Sequence, residues 1–174
     1  ENEFYPSVSK SGNLYFTSDG ALSKGKDDLF YSKMVNGKFQ KPASVSDSIN
    51  TAGYEFNSFI APDESFLIFT CYNREGGYGS GDLYISYNKE SAGWTSPVNM
   101  GKDINSAQMD YCPFVNTKTG ILYFTSKRAS LNVNVDYSRN ITQLLDEMHK
   151  YENGQSRLYK TTIRNLTGSY IKKE

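Results

Sequence analysis

The chain has 174 residues, the size of one ordinary domain, and its 19 basic residues balance 19 acidic ones. A formal charge of zero leaves no field to gather DNA, RNA or anionic lipid, so no nucleic-acid partner is expected. The 37% hydrophobic content leans on 14 Tyr and 10 Phe, and 14 Gly mark frequent turns, which points to a β-rich chain with little helix.

From the amino terminus, Glu1 opens no basic, apolar or cleavage region of a signal peptide, a pattern that a mature exported form would share. Glu3-Phe4-Tyr5-Pro6-Ser7-Val8 then reads as a short strand, Lys10-Ser11-Gly12-Asn13 as a turn, and Leu14-Tyr15-Phe16-Thr17-Ser18 as its antiparallel partner. Asp28-Leu29-Phe30-Tyr31-Ser32 makes a third strand. Gly37-Lys38-Phe39-Gln40-Lys41-Pro42 is the expected fourth, at an outer edge, where the missing proline donor does no harm.

The same order of events returns twice. Glu55-Phe56-Asn57-Ser58-Phe59-Ile60 leads through Pro62-Asp63-Glu64-Ser65 to Leu67-Ile68-Phe69-Thr70-Cys71. Asp110-Tyr111-Cys112-Pro113-Phe114-Val115 leads through Thr117-Lys118-Thr119-Gly120 to Leu122-Tyr123-Phe124-Thr125-Ser126. Phe16, Phe69 and Phe124 recur at intervals of 53 and 55 residues, the period of a propeller blade. Asp82-Leu83-Tyr84-Ile85-Ser86 and Arg157-Leu158-Tyr159-Lys160-Thr161 repeat the third strand, with Arg157 in place of the acid, and Gly93-Trp94-Thr95-Ser96-Pro97 repeats the fourth. Ile49-Asn50-Thr51-Ala52 and Ile104-Asn105-Ser106-Ala107 link one repeat to the next. The expected fold is therefore all-β, a β-propeller of four-stranded antiparallel blades at 1–52, 53–107 and 108–165, with a polar tail at 166–174.

The third repeat carries an insertion at 129–153. Ile141, Leu144, Leu145 and Met148 fall at helical spacing, Ser138 or Asn140 can cap the start, and Asn153-Gly154 supplies a stop. A short helix near 139–150 is expected, with its apolar stripe laid against the propeller face and His149 complementing the dipole at its end. The longest apolar run, Phe66-Leu67-Ile68-Phe69, is too short to span a bilayer. Cys71 and Cys112 lack CxxC spacing and are read as two buried free thiols.

The pattern Tyr-x-x-Pro-x-x-Ser-x-x-Gly-x-Leu-Tyr-Phe-Thr-Ser, with Gly77-Tyr78-Gly79-Ser80-Gly81-Asp82-Leu83-Tyr84-Ile85-Ser86 and the run from Gly93 to Ser106, resembles the WD40-like PD40 repeats of TolB-like propellers. The resemblance covers residues 3 to about 165 and is closest to the version found in envelope proteins of Bacteroidetes-type bacteria, alone in lipoproteins or joined to OmpA-like peptidoglycan-binding domains. It implies a periplasmic or outer-membrane-associated location and a non-enzymatic binding or scaffolding role towards a protein or peptidoglycan-associated partner. It also implies six blades, so three would be completed by further blades of the same protein or by a second copy of the chain.

In the resembled fold the first strand of each blade lines a central channel, which would gather Glu3, Glu55 and Asp110 at one channel mouth. Such a ring suits a cation such as calcium, or a glycosidase acid and nucleophile, which makes a carbohydrate-active enzyme the alternative function. Against this stands a structural role, each recurring acid accepting backbone hydrogen bonds from its neighbour. The propeller part of a larger peptidase or secretion machine is a further alternative. Tyr72, Arg74, Tyr78 and Arg128 are the loop-face candidates for partner contact, with Tyr87 nearby. Asp28 and Asp82 are expected to pair with basic residues such as Arg74. His149 has no serine, cysteine or metal-ligand partner at recognisable spacing, and Gly76–Gly81 lacks the Lys-Ser/Thr of a phosphate loop, so it is read as a flexible hairpin loop and no catalytic set or cofactor is expected.

Overall fold

A computed structural model describes residues 1–130 and 140–163. Ser138 and the tail at 166–174 lie outside the described residues. The chain is all-β, built from antiparallel sheets that follow one another along the sequence. Sheet one orders β1 (Glu3–Val8), β2 (Leu14–Ser18), β3 (Asp28–Ser32) and β6 (Ala43–Ser44), while β4 (Met34–Val35) and β5 (Lys38–Phe39) form a separate ribbon. Sheet two orders β7 (Tyr54–Ile60), β8 (Phe66–Tyr72), β9 (Gly81–Tyr87) and β10 (Val98–Asn99). Sheet three orders β11 (Asp110–Asn116), β12 (Ile121–Ser126) and β13 (Arg157–Thr162), and α1 (Ile141–His149) lies in the insertion between the last two.

The burial pattern explains the hydropathy pattern. In β2 and β12 buried and half-exposed residues alternate, as they do on a strand with one covered face. In β8, Phe66 to Cys71 are all buried. Leu67, Phe69 and Cys71 join Tyr15, Leu29 and Ile49 in the core between sheets one and two. Phe66 and Ile68 join Leu83, Ile104, Leu122 and Phe124 between sheets two and three. The central sheet is covered on both sides, which is why its strand carries the longest apolar run. Full burial of a side chain such as Phe69 contributes about 2–3 kcal/mol.

Two expectations need correction. The edge strand does not lie before Pro42 and Pro97: β6 and β10 begin after them. Phe39 is instead taken by the β4–β5 ribbon, where it pairs with Met34 around a turn made by Asn36 and Gly37, both at positive φ. Proline cannot donate to β3 or β9, so it interrupts the pairing: Gln40 N and Thr95 N donate to Lys33 O and Tyr87 O before the prolines, and β6 and β10 follow beyond them. The helix is present and Asn140 caps it, accepting from Gln143 N at 3.0 Å while Gln143 Oε1 accepts from Asn140 N at 3.1 Å. Its stripe, however, is not laid against the sheets: Ile141 is 74% exposed and Met148 64%. Among the described residues no helix is long and apolar enough to cross a membrane.

Candidate functional site

Register places the candidate acids in equivalent rows. Across sheet one run Glu3, Ser18 and Asp28; across sheet two, Glu55, Cys71 and Asp82; across sheet three, Asp110, Ser126 and Arg157. Glu3 is exposed, whereas Glu55 and Asp110 are buried. Glu55 accepts from the Thr51 amide at 2.8 Å and from its hydroxyl at 2.6 Å. Asp110 accepts from the Ser106 amide at 2.6 Å and hydroxyl at 2.8 Å, and its other oxygen meets Arg128 Nη2 at 3.1 Å. Burial pushes the Glu55 carboxyl up, against the Thr51 hydrogen bonds and the charge of Arg74, which pull it down. Among the described residues no two of these three acids are bonded to each other, and no three of His, Cys, Asp or Glu form a group placed to hold a metal ion.

The linking motif supplies the donors. Ile49 and Ile104 plug the two cores. Asn50 and Asn105 each clasp the backbone of a third-strand leucine, and Thr51 or Ser106 caps the following acid. The Gly-rich loop is packed hard on this link: a Cβ on Gly79 would stand 2.3 Å from Gln108 O and 2.5 Å from Ser106 O, and a Cβ on Gly25 would stand 2.4 Å from Gly53 O. Asp82 does not pair with Arg74. It accepts from the amides of Tyr78 (2.6 Å) and Gly79 (3.1 Å) and from Asn99 Nδ2 (2.8 Å), because its own loop folds back over it. Asp28 likewise accepts from the Lys24 amide at 2.8 Å.

The loop-face residues separate into two kinds. Arg74 lies over the Tyr84 ring at 5.3 Å and donates to Cys71 Sγ at 3.3 Å. Arg128 repeats this over Tyr159 at 4.4 Å and donates to Ser126 Oγ at 2.9 Å. Tyr78 is 51% exposed, and Tyr72 is at the surface with its ring edge-on to Tyr54 at 5.7 Å. Both tyrosines reach the surface, while both arginines are bound into the loop.

One constellation went unnoticed in the sequence. The first strand of each sheet has a bulge, and each bulge holds a non-glycine residue at φ 53°: Tyr5, Asn57 and Cys112. The three bulge residues meet. Asn57 Nδ2 donates to Cys112 Sγ at 3.1 Å, and the Tyr5 hydroxyl donates to Pro113 O, the residue after Cys112, at 3.2 Å. Burial pushes the Cys112 thiol up, with Tyr5 and Asn57 pulling it back, so it stays protonated at neutral pH. Cys112 is half-buried, and only Cys71 is the fully buried thiol expected of both. A tyrosine, an asparagine and a cysteine share no side-chain chemistry, so nothing in the repeat alignment flags the position.

No protein-family model matches the chain, and no curated protein matches it.

Proposed function

We propose that the three sheets are consecutive blades of a propeller of the WD40-like, TolB-like kind, and that the chain is a non-enzymatic binding or scaffolding module of a bacterial cell envelope. The meeting of Tyr5, Asn57 and Cys112 carries this reading. Equivalent bulges from three successive inner strands converge on one place, as sheets radiating from a common axis require. The unequal faces of the outer sheets support it further: Phe4 and Val8 on sheet one and Phe114 and Leu158 on sheet three stay exposed, where further blades or a second copy would pack.

A binding role fits the acids better than glycosidic chemistry does. Glu55 and Asp110 are closed over by their own hydrogen bonds, whereas a catalytic pair must face a sugar. Tyr72 and Tyr78 are the surface offered to a protein or peptidoglycan-associated partner in the periplasm or at the outer membrane. Co-sedimentation of the purified chain with isolated peptidoglycan and with outer-membrane vesicles tests the proposal. Binding that is lost in the Tyr72→Ala, Tyr78→Ala double variant at unchanged melting temperature supports it. Failure to sediment with either fraction contradicts it.

A further inference from the structure

The stacking of the three sheets uses the same strand positions twice. In sheet two the cross-strand pair Ile60–Leu67 and the ring of Phe69 pack towards sheet one, and in sheet three their equivalents Val115–Leu122 and Phe124 pack towards sheet two. The opposite faces repeat as well. Tyr15 and Leu29 of sheet one are buried against sheet two, and Phe59, Ile68 and Leu83 of sheet two are buried against sheet three. Each contact therefore joins the leading face of one sheet to the trailing face of the next, and never like to like.

The outermost sheets each present one half of this contact to solvent. On sheet one the trailing positions hold the pair Val8–Leu14 and the ring of Phe16. Val8 is 57% exposed where Ile60 is 1%, and Leu14 and Phe16 are partly exposed where Leu67 and Phe69 are buried. On sheet three the leading positions hold the pair Phe114–Tyr123 and Leu158. Phe114 is 55% exposed where Phe59 is 7%, and it lies on β11, at the opposite edge of its sheet from β13. One chain thus carries both a trailing and a leading face of the kind already mated twice within it.

Apolar faces of this kind are costly to leave in water and mark a docking surface. We infer that the occupant is a second copy of this chain bound head to tail, sheet one of each copy stacking on sheet three of the other. Such a copy continues an interface already established between sheets one and two and between sheets two and three, and it supplies both missing halves at once. A like-on-like dimer would set Val8 against Val8, a pairing the internal contacts never use. The inference rests on the reading of the sheets as consecutive blades.

The test is light scattering of the purified chain across a dilution series, which is expected to give twice the mass of one chain. Val8→Glu and Phe114→Glu each put a carboxylate into one half of the contact, and each variant alone is expected to be monomeric with unchanged near-ultraviolet circular dichroism. Mixed in equal amounts, the two variants retain one undamaged trailing face and one undamaged leading face, and association is expected to return. A parent chain that is monomeric throughout, a variant that still dimerises alone, or a mixture that stays monomeric overturns the second copy. A monomeric parent that still sediments with peptidoglycan or outer-membrane vesicles overturns the second copy alone, and a dimer that sediments with neither supports it while contradicting the proposed function.

Discussion

Asn105 holds Leu83 by both ends of its amide: Oδ1 accepts from Leu83 N at 2.8 Å and Nδ2 donates to Leu83 O at 3.0 Å. Asn50 does the same to Leu29, at 2.9 and 2.8 Å. The side chain copies a strand's backbone, and thereby ties the link between sheets to the third strand of the preceding sheet. Asn105→Ala leaves the buried Leu83 amide without an acceptor, and the expected loss is about 2 kcal/mol in urea denaturation. An asparagine in merely polar surroundings would lose far less.

Gly79 and Gly76 make a paired test of the loop. Gly76 has open space around it and only its positive φ at stake, so Gly76→Ala is expected to cost about 1 kcal/mol. Gly79→Ala drives a methyl group into the Gln108 and Ser106 carbonyls, and a loss of about 3 kcal/mol is expected. Equal melting temperatures for the two variants would refute the close approach of this loop to the link.

Glu64 and Glu55 should respond to pH with opposite sign. At Glu64 burial raises the carboxyl pKa, but hydrogen bonds from Ser11 (2.5 Å), Asn13 (2.8 Å) and Tyr15 (2.9 Å) outweigh it and the net shift is downward. The depressed folded pKa contributes stability that is present above the ordinary value of 4.5 and is lost as pH falls through the folded value. Glu55 has the raised pKa, so its ionisation opposes folding as pH climbs from 4.5 through its folded value. Stability against pH, measured for Glu64→Gln and Glu55→Gln beside the parent chain, should show the Glu64 difference shrinking on acidification and the Glu55 difference moving the other way.

The two thiols should label at different stages. Burial pushes Cys71 up to about 12, and it is shut between sheets one and two, so it is expected to react with a thiol reagent only on global unfolding. Cys112, half-buried, is expected to react in the folded chain, more slowly than a free cysteine. Reaction of both at one rate would show that the sheets do not pack as described.

The repeat was legible because Phe16, Phe69 and Phe124 each serve the same packing need, and so were the strands that carry them. The edge strands β6 and β10 lie past Pro42 and Pro97 because a proline without a donor interrupts the ladder, which composition alone does not locate to the residue. Helical spacing located α1, but spacing cannot say what covers a stripe, and Ile141 and Met148 face solvent. The role of Asn50 and Asn105 was hidden although the motif was visible, since a shared asparagine does not name the backbone it will clasp. Tyr5, Asn57 and Cys112 were illegible for a stronger reason. A bulge places them through backbone geometry, with no glycine to betray the positive φ.

Convergence of the inner strands is tested most directly by an engineered link between Asn57 and Cys112. With Cys71→Ser removing the other thiol, Asn57→Cys puts a second sulfur at the γ position of the side chain whose Nδ2 now stands 3.1 Å from Cys112 Sγ. Mild oxidation is expected to close an intramolecular disulfide, seen by mass spectrometry as the loss of two hydrogens from a single chain. Free thiols persisting under the same oxidation would contradict the meeting of these strands, and with it the reading of the sheets as blades around one axis.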